Sequence, residues 1–148
     1  MSVSYDVFVG AFLNKITEYE FIKMEYEDKQ RVVDMYFHNA CAEFQHICKY
    51  DLTAYDDTSR MLDIDFEPGD KDEIVNIISQ GMVVQWFSAY FNKQDNLENL
   101  LNTRDFTAYS PAELTYRITN AYEKAQKKYT QMMRDYSYFH GDLTVLHA

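Results

Sequence analysis

Glycine and proline are scarce in this chain, four of one and two of the other in 148 residues. Little material is left for tight turns, which favours helices. Cysteine is equally rare, and two residues exclude a disulfide framework and fit a reducing cytoplasm. Bases are outnumbered, with 14 Lys and Arg against 24 Asp and Glu and a formal net charge of -10. Wrapping nucleic acid needs clustered cations to neutralise phosphates, so that class is disfavoured. A negative surface past which DNA moves without sticking is compatible with the same balance. The opening MSVSYDVF lacks a basic region followed by an apolar core, so no signal peptide is expected.

Apolar and aromatic residues are plentiful. A hydrophobic content of 47% and an aromatic content of 16% are enough to fold one domain around its own core. Thirteen tyrosines and ten phenylalanines exceed what a small core needs, and tyrosine, apolar in body and polar at its tip, suits a protein interface.

The most apolar stretch is IVNIISQGMVVQWFSAYF, Ile74 to Phe91, which holds the single tryptophan, Trp86. Its apolar residues fall on nearly every side of a helical wheel, the pattern of a membrane span or of a helix covered by others. A span needs about 20 residues with few polar groups. Asn76, Ser79, Gln80 and Gln85 interrupt this run, and Asp70, Asp72 and Glu73 crowd its start. The expectation is a buried central helix and no membrane contact. Gly81 in its middle predicts that another backbone packs closely there.

Before it, Ser4-Tyr5-Asp6 can cap a first helix from about Asp6 to Ile16, with Phe8, Phe12 and Ile16 four apart. A second helix is expected from about Glu27 to Lys49, on the stripe Val33, Phe37, Ala40, Cys41, Phe44, Ile47 and Cys48. The stretch 50–69 is the longest non-helical one, and within it MLDIDF alternates apolar with acidic as a short strand would. A loop of that length is commonly functional, and this one suggests a segment that orders against a neighbour. Asp70 with Glu73 resembles a cap for the central helix. Asp95 can cap a short helix ending near Asn102. Ser110-Pro111-Ala112-Glu113 is a capping box with proline at the first helical position. The last helix then runs to about His140, on the seam Leu114, Ile118, Ala121, Ala125, Tyr129, Met132, Tyr136 and Phe139, and Gly141 ends it. The fold class is all-α: a bundle of three long helices plus shorter ones with a long acidic loop, one domain over residues 1–141 and a tail over 142–148.

No pattern of catalysis emerges. There is no GxSxG and no glycine-rich phosphate loop. His38, Cys41 and Cys48 share a helix with His46 nearby, but zinc wants four converging ligands, so core packing is the better reading. The acidic run from Asp56 to Asp70 raises calcium, yet counting an EF-hand loop from Asp63 puts Pro68 sixth and Ile74 twelfth, where glycine and glutamate are needed. A solvated or partner-binding acidic loop fits better. The chain is therefore read as a non-enzyme, with no catalytic residue, no metal and no cofactor.

The segments SYDVFVGAFLNKITEYEF, CKYDLTAYDD, the MVVQW helix, LNTRDF-x-x-YSPAEL leading into the last helix, and YSYFHGDL at its end follow one another in a distinctive order. In that order the chain resembles the head–tail connector (adaptor, or neck) proteins of siphophages of Gram-positive hosts, over nearly its whole length. The resemblance implies a helical bundle with a structural role. Such proteins form a ring, typically dodecameric, beneath the portal protein, and extend the DNA channel toward the stopper or tail-completion protein. DNA passes through without specific binding, and the protein, made in the bacterial cytoplasm, resides in the neck of the virion. The family supplies no catalytic residues, and the length and contents of the loop 50–69 are where the chain departs from the family's pattern.

A competing expectation is an acidic cytoplasmic helical protein that binds a host protein as an inhibitor or DNA mimic. A mimic should set its acids in spaced rows on helices, whereas nine of the 24 lie between Asp51 and Glu73, mostly in a loop. Partner-binding residues are expected in the tail and loop: Leu143, Val145 and Leu146 beyond the last helix, Tyr138 and Phe139 at its end, and Met61, Ile64 and Phe66 in the strand-like part of the loop.

Overall fold

A computed structural model describes residues 2–17, 29–92 and 111–140. The fold is all-α in substance. Its helices are α1 (Tyr5–Ile16), α2 (Lys29–Gln45), α3 (Asp70–Asn92) and α4 (Pro111–His140). The short helix expected over 95–102, the Ser110 cap and the tail after His140 lie outside the described residues.

The central helix is where the sequence puts it. α3 packs against α1, α2 and α4 together, so it buries residues on all sides: Ile74, Ile77, Ile78, Met82, Val83, Val84, Trp86 and Phe87. Two polar residues go in with them. Gln80 donates its side-chain amide to the Ala125 carbonyl at 3.1 Å, and Ser79 donates to the Asn76 carbonyl. Among the described residues no helix is long and apolar enough to cross a membrane. Gly81 does receive a close neighbour, but it is a side chain rather than a backbone. A Cβ there would lie 2.8 Å from Cζ and 2.9 Å from the hydroxyl of Tyr129.

Helix ends differ from expectation for local reasons. Ser4 caps α1 by accepting from the Asp6 amide at 3.2 Å, as read from the sequence. α2 stops at Gln45, short of the Lys49 expected. The Gln45 side chain turns to the following strand of chain, donating to the Tyr50 carbonyl and accepting from the Leu52 amide. Lys49, freed from a helix terminus, pairs with Asp70 at 2.9 Å. Asp70 is the first residue of α3 rather than its cap, because Gly69 at φ 89° makes the turn into the helix. On α4 the expected seam holds at Ile118, Ala125, Tyr129 and Tyr136, which are buried, but Phe139 is 76% exposed.

The larger correction concerns 50–69. It is a folded part of the domain. Tyr55–Asp56 (β2) and Met61–Leu62 (β3) form a hairpin, and Val3–Ser4 (β1) pairs antiparallel with β3, giving a three-stranded sheet of order β1-β3-β2. The segment does order against a neighbour, but that neighbour is the start of its own chain. Leu52, Leu62 and Ile64 are buried in the main core as a result.

Candidate interaction surfaces

A polar cluster fastens the hairpin to the bundle. Arg60 reaches across both. Its Nε and Nη2 donate to the two carboxylate oxygens of Asp34 on α2, at 2.9 and 2.8 Å, and its Nη1 donates to Asp6 on α1 at 2.7 Å. A two-pronged guanidinium–carboxylate pair is directional as well as strong. The Arg60 carbonyl accepts from the Tyr5 amide at 3.0 Å, and its guanidinium lies 5.7 Å from the Tyr5 ring centre. To make these contacts Arg60 takes a φ of 54°, a left-handed conformation that a side chain disfavours. The carboxylates hold its charge firmly, pushing its pKa further up.

Beside it, the Tyr5 hydroxyl donates to Asp57 at 2.9 Å, and His38 Nε2 lies 2.9 Å from the same carboxylate oxygen. The His38 ring stacks on Tyr55 at 4.4 Å. A tyrosine, a carboxylate and a histidine in contact resemble a catalytic set, so the protonation states matter. Burial, and then the Asp57 hydrogen bond, push the Tyr5 phenol well up from its ordinary pKa, so Tyr5 stays a hydrogen-bond donor at neutral pH. Its ring is fully buried against Phe37 and its hydroxyl is committed to Asp57. The group therefore works as a clasp joining N-terminus, hairpin and α2. Sequence reasoning missed it because its members lie far apart in the chain and no spacing announces them.

The cysteines behave as packing residues. Cys41 is buried, and burial raises its thiol pKa, which opposes the thiolate a metal would need. Cys48 lies 3.8 Å from the Tyr136 hydroxyl, which also accepts from the Lys49 amide. No group of three metal-ligating side chains converges among the described residues.

The residues expected to meet a partner divide three ways. Ile64 is buried in the chain's own core, so it is not offered to a partner as expected. Met61 and Phe66 are partly covered, Phe66 edge-on against Tyr50 at 4.8 Å. Tyr138 and Phe139 are exposed and in edge contact with each other at 5.4 Å. Leu143, Val145 and Leu146 lie outside the described residues.

Two surfaces stand out on the finished domain. One is the hairpin, where Asp51, Asp56, Asp57, Asp63, Asp65 and Glu67 are all exposed. The other is the side of α4 turned away from α3. There Tyr116, exposed like Tyr138, was not singled out by sequence, although its spacing from the buried seam could have shown it. No family model, no curated protein and no solved structure matches this chain.

Proposed function

We propose that this chain is a head–tail connector of a tailed bacteriophage, a structural subunit that assembles as a ring on the portal protein. The observation that carries the reading is the ordered set of segments running from SYDVF through MVVQW and YSPAEL to YSYFHGDL. The physical properties of the domain agree with it. A bundle built around one covered helix is suited to repetition in a ring, and its last helix carries exposed side chains from Tyr116 to Phe139. An excess of acids, exposed on the hairpin, gives a ring a repulsive potential toward phosphate, so packaged DNA passes without adhering.

The DNA-mimic reading has less behind it. Six of the exposed acids lie together over 51–67 on a hairpin, whereas a mimic of duplex phosphate spacing needs regular rows on helices. The connector reading is tested by mass spectrometry of purified virions of the phage that encodes the chain. The protein should be present in copy number comparable to the portal subunit. Its absence from intact virions would overturn the reading.

A further inference from the structure

α4 has two faces. Ile118, Ala125, Tyr129 and Tyr136 are buried toward the bundle. On the opposite side Tyr116, Lys124, Lys127, Gln131, Arg134 and Tyr138 follow at steps of mostly three and four, which aligns them in one outward stripe. Tyr116 is 70% exposed and Tyr138 is 67% exposed, one near each end. The stripe is cationic in an acidic protein. From Tyr116 to Phe139 five bases face only Glu123 and Asp135.

Four of these cations are distinguished by what they lack. Two bases elsewhere are held by carboxylates, Arg60 by Asp34 and Asp6 and Lys49 by Asp70. Among the described residues, no carboxylate pairs with Lys124, Lys127, Lys128 or Arg134. The opposite charge lies on the hairpin, where six acids over 51–67 are exposed and Arg60 is the one base within the stretch, with Lys49 3.6 Å from Glu67 and His38 2.9 Å from Asp57. Arg60 is already held by Asp34 and Asp6.

We propose that the outward stripe of α4 is the seat for the acidic hairpin of a second copy of this chain. The inference rests on the ring reading and gives it an interface. Net charge opposes association of like copies, but at about 0.15 M salt interactions fade beyond about 8 Å, so touching patches decide the sign. The exposed tyrosines add the amphipathic contact area that interfaces favour. Because the two patches differ, the contact is heterologous: each copy offers a seat and a hairpin, and the series continues until a rotation closes it into a ring.

Two charge-reversed variants test this, one with Lys124→Glu, Lys127→Glu and Arg134→Glu, the other with Asp63→Lys, Asp65→Lys and Glu67→Lys. Each is first checked for native helicity by circular dichroism. Zero-length carbodiimide cross-linking of the wild-type chain at high concentration should join α4 lysines of one copy to hairpin carboxylates of another. Sedimentation should show association strongest near 0.15 M and lost at about 1 M salt. Each variant alone should associate at least about tenfold more weakly, and an equimolar mixture should recover. A wild type without inter-copy cross-links, or a mixture that fails to recover, overturns the seat. So does a short DNA duplex that binds the wild type and not the α4 variant, since the stripe then serves phosphate. A protein present in virions without these cross-links overturns the seat alone. Cross-linked assemblies of a protein missing from virions overturn the connector reading alone.

Discussion

Gly81 lacks a side chain because the Tyr129 ring fills the space where one would stand. The chain thereby accepts the poorer helix propensity of glycine, about 1 kcal/mol against alanine, in exchange for close contact between α3 and α4. Tyr129 is 2% exposed, so its ring has little room to retreat. Gly81→Ala gains the propensity and incurs overpacking of about 1–3 kcal/mol. The expected net result is a loss on the order of 1 kcal/mol, measured by urea denaturation, and a somewhat smaller loss when Tyr129→Phe removes the hydroxyl, one of the three ring-end atoms crowding the new methyl. A stabilised Gly81→Ala would show that the ring moves freely. Glycine in an apolar helix was a legible sign of close approach. Which group approached was not legible, because helix periodicity gives a helix its faces but not its neighbour. Arg60 was wholly illegible for a related reason. Its partners lie 26 and 54 positions away, and nothing local marks a left-handed arginine.

At the scale of elements, α1, α2 and α4 were readable because each buries a stripe at a period of three to four, and α3 because it is apolar on nearly every side. α1 and α3 lie where the spacing puts them. α2 ends early because Gln45 bonds the backbone beyond it, a choice that periodicity does not encode. The sheet was half readable. MLDIDF gave away a strand, but strands of two residues carry almost no alternation, and the pairing partner of Met61 and Leu62 is the N-terminal Val3–Ser4. Removal of Asp56 to Asp65 is therefore not the neutral change expected of a free loop. It takes out Leu62 and Ile64, whose burial is worth about 1.5–3 kcal/mol each. It also removes the charged hydrogen bonds of Arg60, about 1.5–3 kcal/mol apiece at most. Deletion should lower the thermal midpoint sharply, with loss of helical signal near ambient temperature. An unchanged midpoint would mean that the bundle holds without its clasp.

For the molecule as a whole, the charge total was plain in the sequence and its arrangement was not. A count of 24 acids and 14 bases says repulsion. Among the described residues the fold sets apart an acidic hairpin, fastened at the α1–α2 side, and a cationic stripe along the outside of α4. On the proposed reading, patches of opposite sign let like-charged copies meet in one orientation. The most direct measurement of the central claim is the mass of the complex formed when the purified chain meets the cognate portal ring. Native mass spectrometry should show one copy of the chain per portal subunit, and a chain truncated after Gly141 should stay unbound while keeping its helicity. A full-length chain that remains separate from the portal ring would contradict the account.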